Sequence, residues 1–152
     1  MPPELSIACQ RLHPETDADI ALPQYMTPHS SGMDVRAAVT EPLIIQPGDI
    51  ALIPTGFAIA LPEGYEAQIR PRSGLAVKYG IGIINSPGTI DADYRGEIKI
   101  ALINHGKKDF TVSRGDRIAQ MVVHQVCQVR LTEKAHLSSS DREAGGFGHT
   151  GV

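Results

Sequence analysis

Short apolar runs separated by turn residues set the rhythm of this chain. From residue 43 onward the punctuation is regular: Pro47-Gly48-Asp49, Pro54-Thr55-Gly56 and Pro62-Glu63-Gly64. Between and after these turns lie runs at 50–53, 57–61 and 65–69. Each has strand length and is too short for a stable isolated helix. Further strands are expected at 6–12, 81–84, 98–103, 110–112 and 117–129, the last rich in Val and Ile. Residues 17–28 read as a mixed connection. One short helix is expected over 75–79, with Ser73 in an N-cap-like position. After Thr132 the pattern stops, and a polar, Ser- and Gly-rich segment reads as a mobile tail. No internal repeat or second domain is visible. Many short antiparallel strands with frequent turn signals predict an all-β sandwich or barrel.

Composition narrows the class. A chain of 152 residues, 41% of them apolar, fits one globular domain with a sizeable core. A formal net charge of -3 lacks the basic excess of a duplex-binding domain, so no nucleic-acid partner is expected. The two cysteines, Cys9 and Cys127, form no metal pattern. Each lies in an apolar strand-like run, which favours buried thiols over a disulfide. The segment MPPELSIACQRL lacks the apolar core of a signal peptide, and no run approaches a membrane span. The expectation is a cytoplasmic protein with no membrane partner. The six histidines lack zinc-ligand spacing.

Candidate chemistry concentrates in GTIDADYRGE, residues 88–97. Carboxylates at Asp91, Asp93 and Glu97 stand beside Tyr94 and Arg95, between the runs IGII and IKIALI. A hairpin there would hold a carboxylate and an aromatic ring on a rigid platform, suited to gripping a base or sugar while activating water. Taken alone, the segment fits a solvated β-turn equally well. Asn85-Ser86-Pro87-Gly88 is turn chemistry and puts the polar residues at the tip and flank of the hairpin. Arg70-Pro71-Arg72-Ser73-Gly74 opens the short helix. Amides at a helix N-terminus suit phosphate, Arg72 adds a bidentate donor, Ser73 a hydroxyl, and Gly74 allows close approach to the backbone. An ordinary capped helix is the alternative. Asp34, in Ser31-Gly32-Met33-Asp34, has the setting of a turn-former. Arg114-Gly115-Asp116-Arg117 reads as a salt-bridged surface turn. The glycine-rich stretch 145–151 lacks the Lys and following helix of a phosphate-binding P-loop.

Five segments together resemble the trimeric dUTP pyrophosphatase (dUTPase) family, in the family's order. They are SGMDVRA, RPRSGLA, the 88–97 region, RGDRIAQ and REAGGFGHTG, spanning residue 31 almost to the end of the chain. The resemblance implies a jelly-roll-like β-barrel over 1–135, with 136–152 as a flexible C-terminal lid, assembled as a homotrimer whose sites are shared between subunits. It implies hydrolysis of dUTP to dUMP and pyrophosphate, limiting uracil incorporation into DNA and supplying dUMP for dTMP synthesis. Asp91 becomes the general base that activates water for in-line attack on the α-phosphorus. Arg72, Ser73, Gly74 and Gln120 hold phosphates. Asn85 and the backbone of Gly88, Thr89 and Ile90 read uracil, with Lys99 also at the substrate. Tyr94 packs against the deoxyribose and leaves no room for a 2′-hydroxyl. Arg142, Phe147, Gly148, His149 and Thr150 belong to the lid, with Phe147 on the base and Arg142 and Thr150 on the distal phosphates. Mg²⁺ is the implied cofactor, held mainly by the triphosphate, with Asp34 touching its water. Asp93 ranks below Asp91, because the family tolerates other residues there. The chain departs from the family at His149, where Ser is usual, and at Glu143, where Gly is common. An imidazolium could stand in for that serine hydroxyl. A dCTP deaminase shares the fold, but nothing here resembles its catalytic segment. A non-catalytic nucleotide-binding trimer is the reading from another class.

Overall fold

The computed structural model describes residues 5–149 and 151. Strands dominate it. The first three are β1 (Ala8–Arg11), β2 (Gln24–Tyr25) and β3 (Met33–Arg36). Next come β4 (Leu43–Ile45), β5 (Ile50–Pro54), β6 (Phe57–Ala60) and β7 (Tyr65–Arg70). A single helix, α1 (Ser73–Tyr79), leads to β8 (Ile81–Ile83) and β9 (Gly88–Ile90). The last strands are β10 (Lys99–Asn104), β11 (Phe110–Val112) and β12 (Arg117–Gln125). The predicted runs thus become strands wherever apolar residues alternate between the turns.

The strands do not close into one continuous barrel. Among the described residues they form four sheets, ordered β1-β6, β5-β10-β8, β11-β4 and β2-β3-β12-β7-β9. Short strands interrupted by Pro and Gly turns change sheets at their ends, so ladders break where a closed barrel would continue. One core unites the sheets. Val35, Ile45, Ile53, Phe57, Ile69, Ile100 and Ile118 belong to it, and each is at most 2% exposed. Period-two alternation does this locally: in β7, Ala67 and Ile69 point inward, while Glu66, Gln68 and Arg70 remain partly exposed. Burying each large aliphatic side chain contributes roughly 1.5–3 kcal/mol.

Asn104 is the most buried polar residue, at 0% exposed. Its amide donates to the Ile45 and Lys108 carbonyls at 2.9 and 2.8 Å, and its Oδ1 accepts from the Gly106 N–H at 2.8 Å. Asn104→Leu keeps the branched shape, with somewhat larger terminal groups, and strands those partners. We expect a loss of about 3 kcal/mol, read by denaturant unfolding, with an unchanged slope.

Several expectations are corrected. β12 ends at Gln125 rather than at residue 129, because its partner β7 begins at Tyr65, opposite Gln125. β1 covers only Ala8–Arg11 of the expected 6–12. The helix begins at Ser73, and Arg72 occupies the N-cap in an extended conformation with no side-chain cap bond. Ser73 is therefore the first helical residue, and its hydroxyl is not used as a cap. Cys9 and Cys127 are exposed and free rather than buried. Cys9 lies on a strand paired on one edge only, and Cys127 lies beyond β12. Partial burial still raises the Cys9 thiol pKa, with Arg11 opposing. Among the described residues no helix is long and apolar enough to cross a membrane.

Of the turn expected at Arg114-Gly115-Asp116-Arg117, Arg114 is salt-bridged, whereas Asp116 accepts from the Ser113 N–H at 2.8 Å. Arg114 bonds Asp19 through Nε at 3.0 Å and Nη2 at 2.7 Å, and reaches Asp17 at 3.0 Å. The Arg114 bond holds the Asp19 carboxyl below its ordinary pKa. A depressed carboxylate pKa contributes stability that is complete above the unfolded value, about 4, and is lost as pH falls through the folded value. Asp19→Asn is expected to flatten the acid limb of the stability profile and to leave the limb above pH ~6 almost unsloped by this site.

Candidate active site

The segment carrying Asp91 is not a hairpin tip. β8 and β10 do pair antiparallel, with Ile83 opposite Leu102 and Ile81 opposite Asn104. Between them the chain leaves that sheet and lays β9 along β7, with Gly88 opposite Ile69 and Ile90 opposite Ala67. Asp91 follows β9 directly, at the head of a turn closed by the Tyr94 N–H on the Asp91 carbonyl at 3.1 Å. Asp91 thus stands on the connection between two sheets rather than at the tip of a free hairpin.

Asn85, Thr89, Ile90, Asp91, Tyr94 and Lys99 share one cleft of about 330 Å³, whose wall also includes Leu52. Asp91 and Tyr94 are exposed there. Gly88 is buried in the ladder beside it. Tyr94 donates through its hydroxyl to the Glu97 carbonyl at 2.9 Å. Asp93 lines a different cleft, with Glu63 and Glu66, which Asp91 also borders.

The second group lies on the outer side of the five-stranded sheet. Asp34 is opposite Gln120 on β12, and Gln120 is opposite Arg70 on β7. Asp34 is not a turn residue; it lies within β3 and is 6% exposed. A buried carboxylate requires a partner. Arg117 Nη1 donates to Asp34 Oδ2 at 3.0 Å, and Arg72 Nε lies 3.9 Å from Oδ1. Arg72 and Arg117 line a cleft of about 350 Å³ with Leu75 and Tyr79 of α1. Ser73 and Gly74 are exposed at the start of α1. Arg70 is engaged elsewhere, donating to Gln68 Oε1 at 2.9 Å and to His124 Nε2 at 2.8 Å.

Arg117 is the residue that sequence reasoning missed. The sequence pattern puts it in a surface turn, yet it opens β12 and reaches the carboxylate that Arg72 faces. The available signal was a guanidinium opening an otherwise Val- and Ile-rich strand. Arg117→Gln is expected to cost about 1–2 kcal/mol of stability, the lower range of a charged hydrogen bond because the guanidinium is partly exposed. The loss is read as a lower melting temperature.

Within one chain the Asp91 group and the Arg72 group line separate clefts. The tail residues stand apart from both. Arg142 donates to the Gly145 carbonyl at 2.7 Å, and Phe147, Gly148 and His149 are exposed. Thr150 lies outside the described residues. Among the described residues no group of three or more His, Cys, Asp or Glu side chains could hold a metal ion.

Comparison with known proteins identifies the scaffold. The dUTPase family model matches residues 18–151. A deoxyuridine 5'-triphosphate nucleotidohydrolase of Desulfotalea psychrophila is 56% identical over 133 residues, which are 88% of this chain and 89% of that protein. The protein of the same name from Rickettsia felis is 59% identical over 132 residues, covering 87% of this chain and 89% of its own length. Among solved structures, the Staphylococcus bacteriophage 80alpha dUTPase with dUPNHPP has a TM-score of 0.85 at 24% identity, covering 97% of this chain and 99% of that one. A dUTPase from phage phi11 of S. aureus, described with a structural Mg(II) ion, has a TM-score of 0.76 at 21% identity, covering 87% and 98% of the two chains. Those two structural likenesses concern the fold. With the family model spanning most of its length and relatives more than half identical, the chain belongs to the dUTPase family.

Proposed function

We propose that the chain hydrolyses dUTP to dUMP and pyrophosphate, with Asp91 as the base, at sites completed between subunits of a homotrimer. The observation that carries this reading is the single cleft lined by Asn85, Thr89, Ile90, Asp91, Tyr94 and Lys99. It combines an amide for a base edge, an aromatic wall for a sugar, an exposed carboxylate and a cation. Relatives at 56% and 59% identity bear the name of this activity.

Each group has a defined task. Asn85 and the β9 backbone match the donor–acceptor edge of uracil, and cytosine reverses that edge. Tyr94 closes the 2′ position. Arg72, Ser73, Gly74 and Gln120 take the phosphates, with Arg117 setting Asp34 beside them. Asp91 accepts a proton from a water whose oxygen bonds to the α-phosphorus, while the bond from that phosphorus to the bridging oxygen breaks and pyrophosphate leaves. A Mg²⁺ ion bound with the triphosphate would supply charge neutralisation on the departing group, with Asp34 meeting it through water. The tail then covers the nucleotide, Phe147 stacking on the base while Arg142 and His149 face the phosphates. Two free thiols and a nucleotide substrate suit the reducing cytoplasm.

Two separate clefts and an apolar face support the assembly. Ile50 and Leu52, 57% and 60% exposed, project from the same side of β5. Leu52 is opposite Ala101, to which the exposed Ile84 is hydrogen-bonded through the backbone. Such a patch suits a partner surface, and Leu52 extends it to the Asp91 cleft. Three experiments test the proposal. Pyrophosphate release is measured with dUTP, dCTP, dTTP and UTP, and a preference for any but dUTP overturns the activity. Asp91→Asn and Ser73→Ala trimers are mixed after subunit exchange, and recovered turnover is expected. A monomer by sedimentation removes the shared site.

A further inference from the structure

We propose that Gly96 is a specificity-determining positioning residue, whose missing side chain leaves the space in which the Tyr94 ring lies. The inference rests on the reading of Tyr94 as the wall against the 2′ position. It starts from a contact inside the turn. A Cβ built on Gly96 would meet the Tyr94 hydroxyl, and would lie 2.6 Å from Cζ and 3.0 Å from Cε2 of the same ring. No side chain fits at residue 96 while the ring stays where it is.

The rest of the turn is firmly anchored, so the ring is the part that must move. The carbonyl that accepts from the Tyr94 hydroxyl belongs to Glu97. The Glu97 carboxylate accepts from the Gly56 N–H at 3.0 Å and faces Lys99 Nζ at 3.8 Å. The next residue, Ile98, donates to the Phe57 carbonyl at 3.0 Å and is fully buried. Arg95 folds back on the turn, donating to the Ala92 and Tyr94 carbonyls at 2.6 and 2.9 Å. Gly80 differs in kind: a Cβ there would lie 2.6 Å from the Gly106 backbone nitrogen. Substitution at Gly80 strains the fold, whereas substitution at Gly96 displaces an exposed side chain at the edge of the Asp91 cleft. Gly96 is thus tied to the sugar wall rather than to stability.

The test compares kcat/KM for dUTP and UTP in the native protein, Gly96→Ala, Tyr94→Ala and the double variant, with the melting temperature of each. Gly96→Ala is expected to raise the UTP-to-dUTP ratio by roughly tenfold, the scale of one steric contact in a pocket. Its melting temperature should stay near that of the native protein. In the Tyr94→Ala background the added methyl has no ring to strike, so the double variant should match Tyr94→Ala alone. A merely structural effect would lower both substrates alike and leave the ratio flat. If Tyr94→Ala shifts the ratio and Gly96→Ala does not, the inference is overturned and the Tyr94 reading stands. If Gly96→Ala shifts the ratio equally with and without the ring, it acts by another route and the inference is also overturned. If Tyr94→Ala leaves the ratio unchanged, the Tyr94 reading itself falls, and the role of Gly96 with it.

Discussion

Asp91→Asn is expected to lower kcat for dUTP by ~10²–10⁴, the range of a positioned acid–base group, with little change in nucleotide affinity. The substitution keeps shape and size and removes basicity. Asp91 is exposed in its cleft and follows a strand paired to β7, so the amide should occupy the carboxylate's place without disturbing the fold. Binding of a non-hydrolysable dUTP analogue separates chemistry from affinity. Near-native turnover in Asp91→Asn would move the base elsewhere. The neighbouring Asp93 is then the first alternative to test, since it borders the second cleft that Asp91 touches.

Removal of residues 141–152 is expected to leave fold and assembly intact and to reduce turnover by roughly 10²-fold or more, as when reacting groups lose alignment. The last strand ends at Gln125. From there to His149 nearly every residue is exposed, and Phe147 has no covering contact at all. Among the described residues, the core cluster includes nothing beyond Met121, with Val123 packed against it. Ordering it over a bound nucleotide costs conformational entropy, which stacking by Phe147 and phosphate contacts by Arg142 would offset. Closure would also exclude water from the reacting groups. Protease is expected to cut the free protein within 138–148, and the dUTP analogue with Mg²⁺ to protect it. Normal turnover by the shortened chain, or cleavage unaffected by the analogue, removes the lid.

Much of the local structure was legible. Every expected strand from 43 to 125 corresponds to an observed one, because turn residues and period-two alternation act within a few positions. The boundaries were less legible where they depend on a partner. β12 carries strand-forming residues past Gln125, yet beyond the start of β7 the pairing fades to one bond, from the Val126 N–H to the Gly64 carbonyl at 2.9 Å. The two cysteines show the same limit. Their runs are apolar, but Cys9 pairs only with Ile59 on β6 and Cys127 follows the last strand, so neither is enclosed.

The sequence by itself determined the all-β class, the single short helix, the turn positions and the motifs that place the chain in its family. Those properties depend on neighbours along the chain, where sterics and hydrogen bonding act over one to five residues. Only the tertiary structure decided that the 88–97 segment bridges two sheets, that Asp34 is buried with Arg117, and that the Asp91 and Arg72 groups line separate clefts. Asp34 and Arg117 are 83 positions apart. Their pairing depends on strand register across β3 and β12, which the burial of apolar side chains on the other face selects. A carboxylate taken out of water on that sheet must find a cation, and the register brings Arg117 to it.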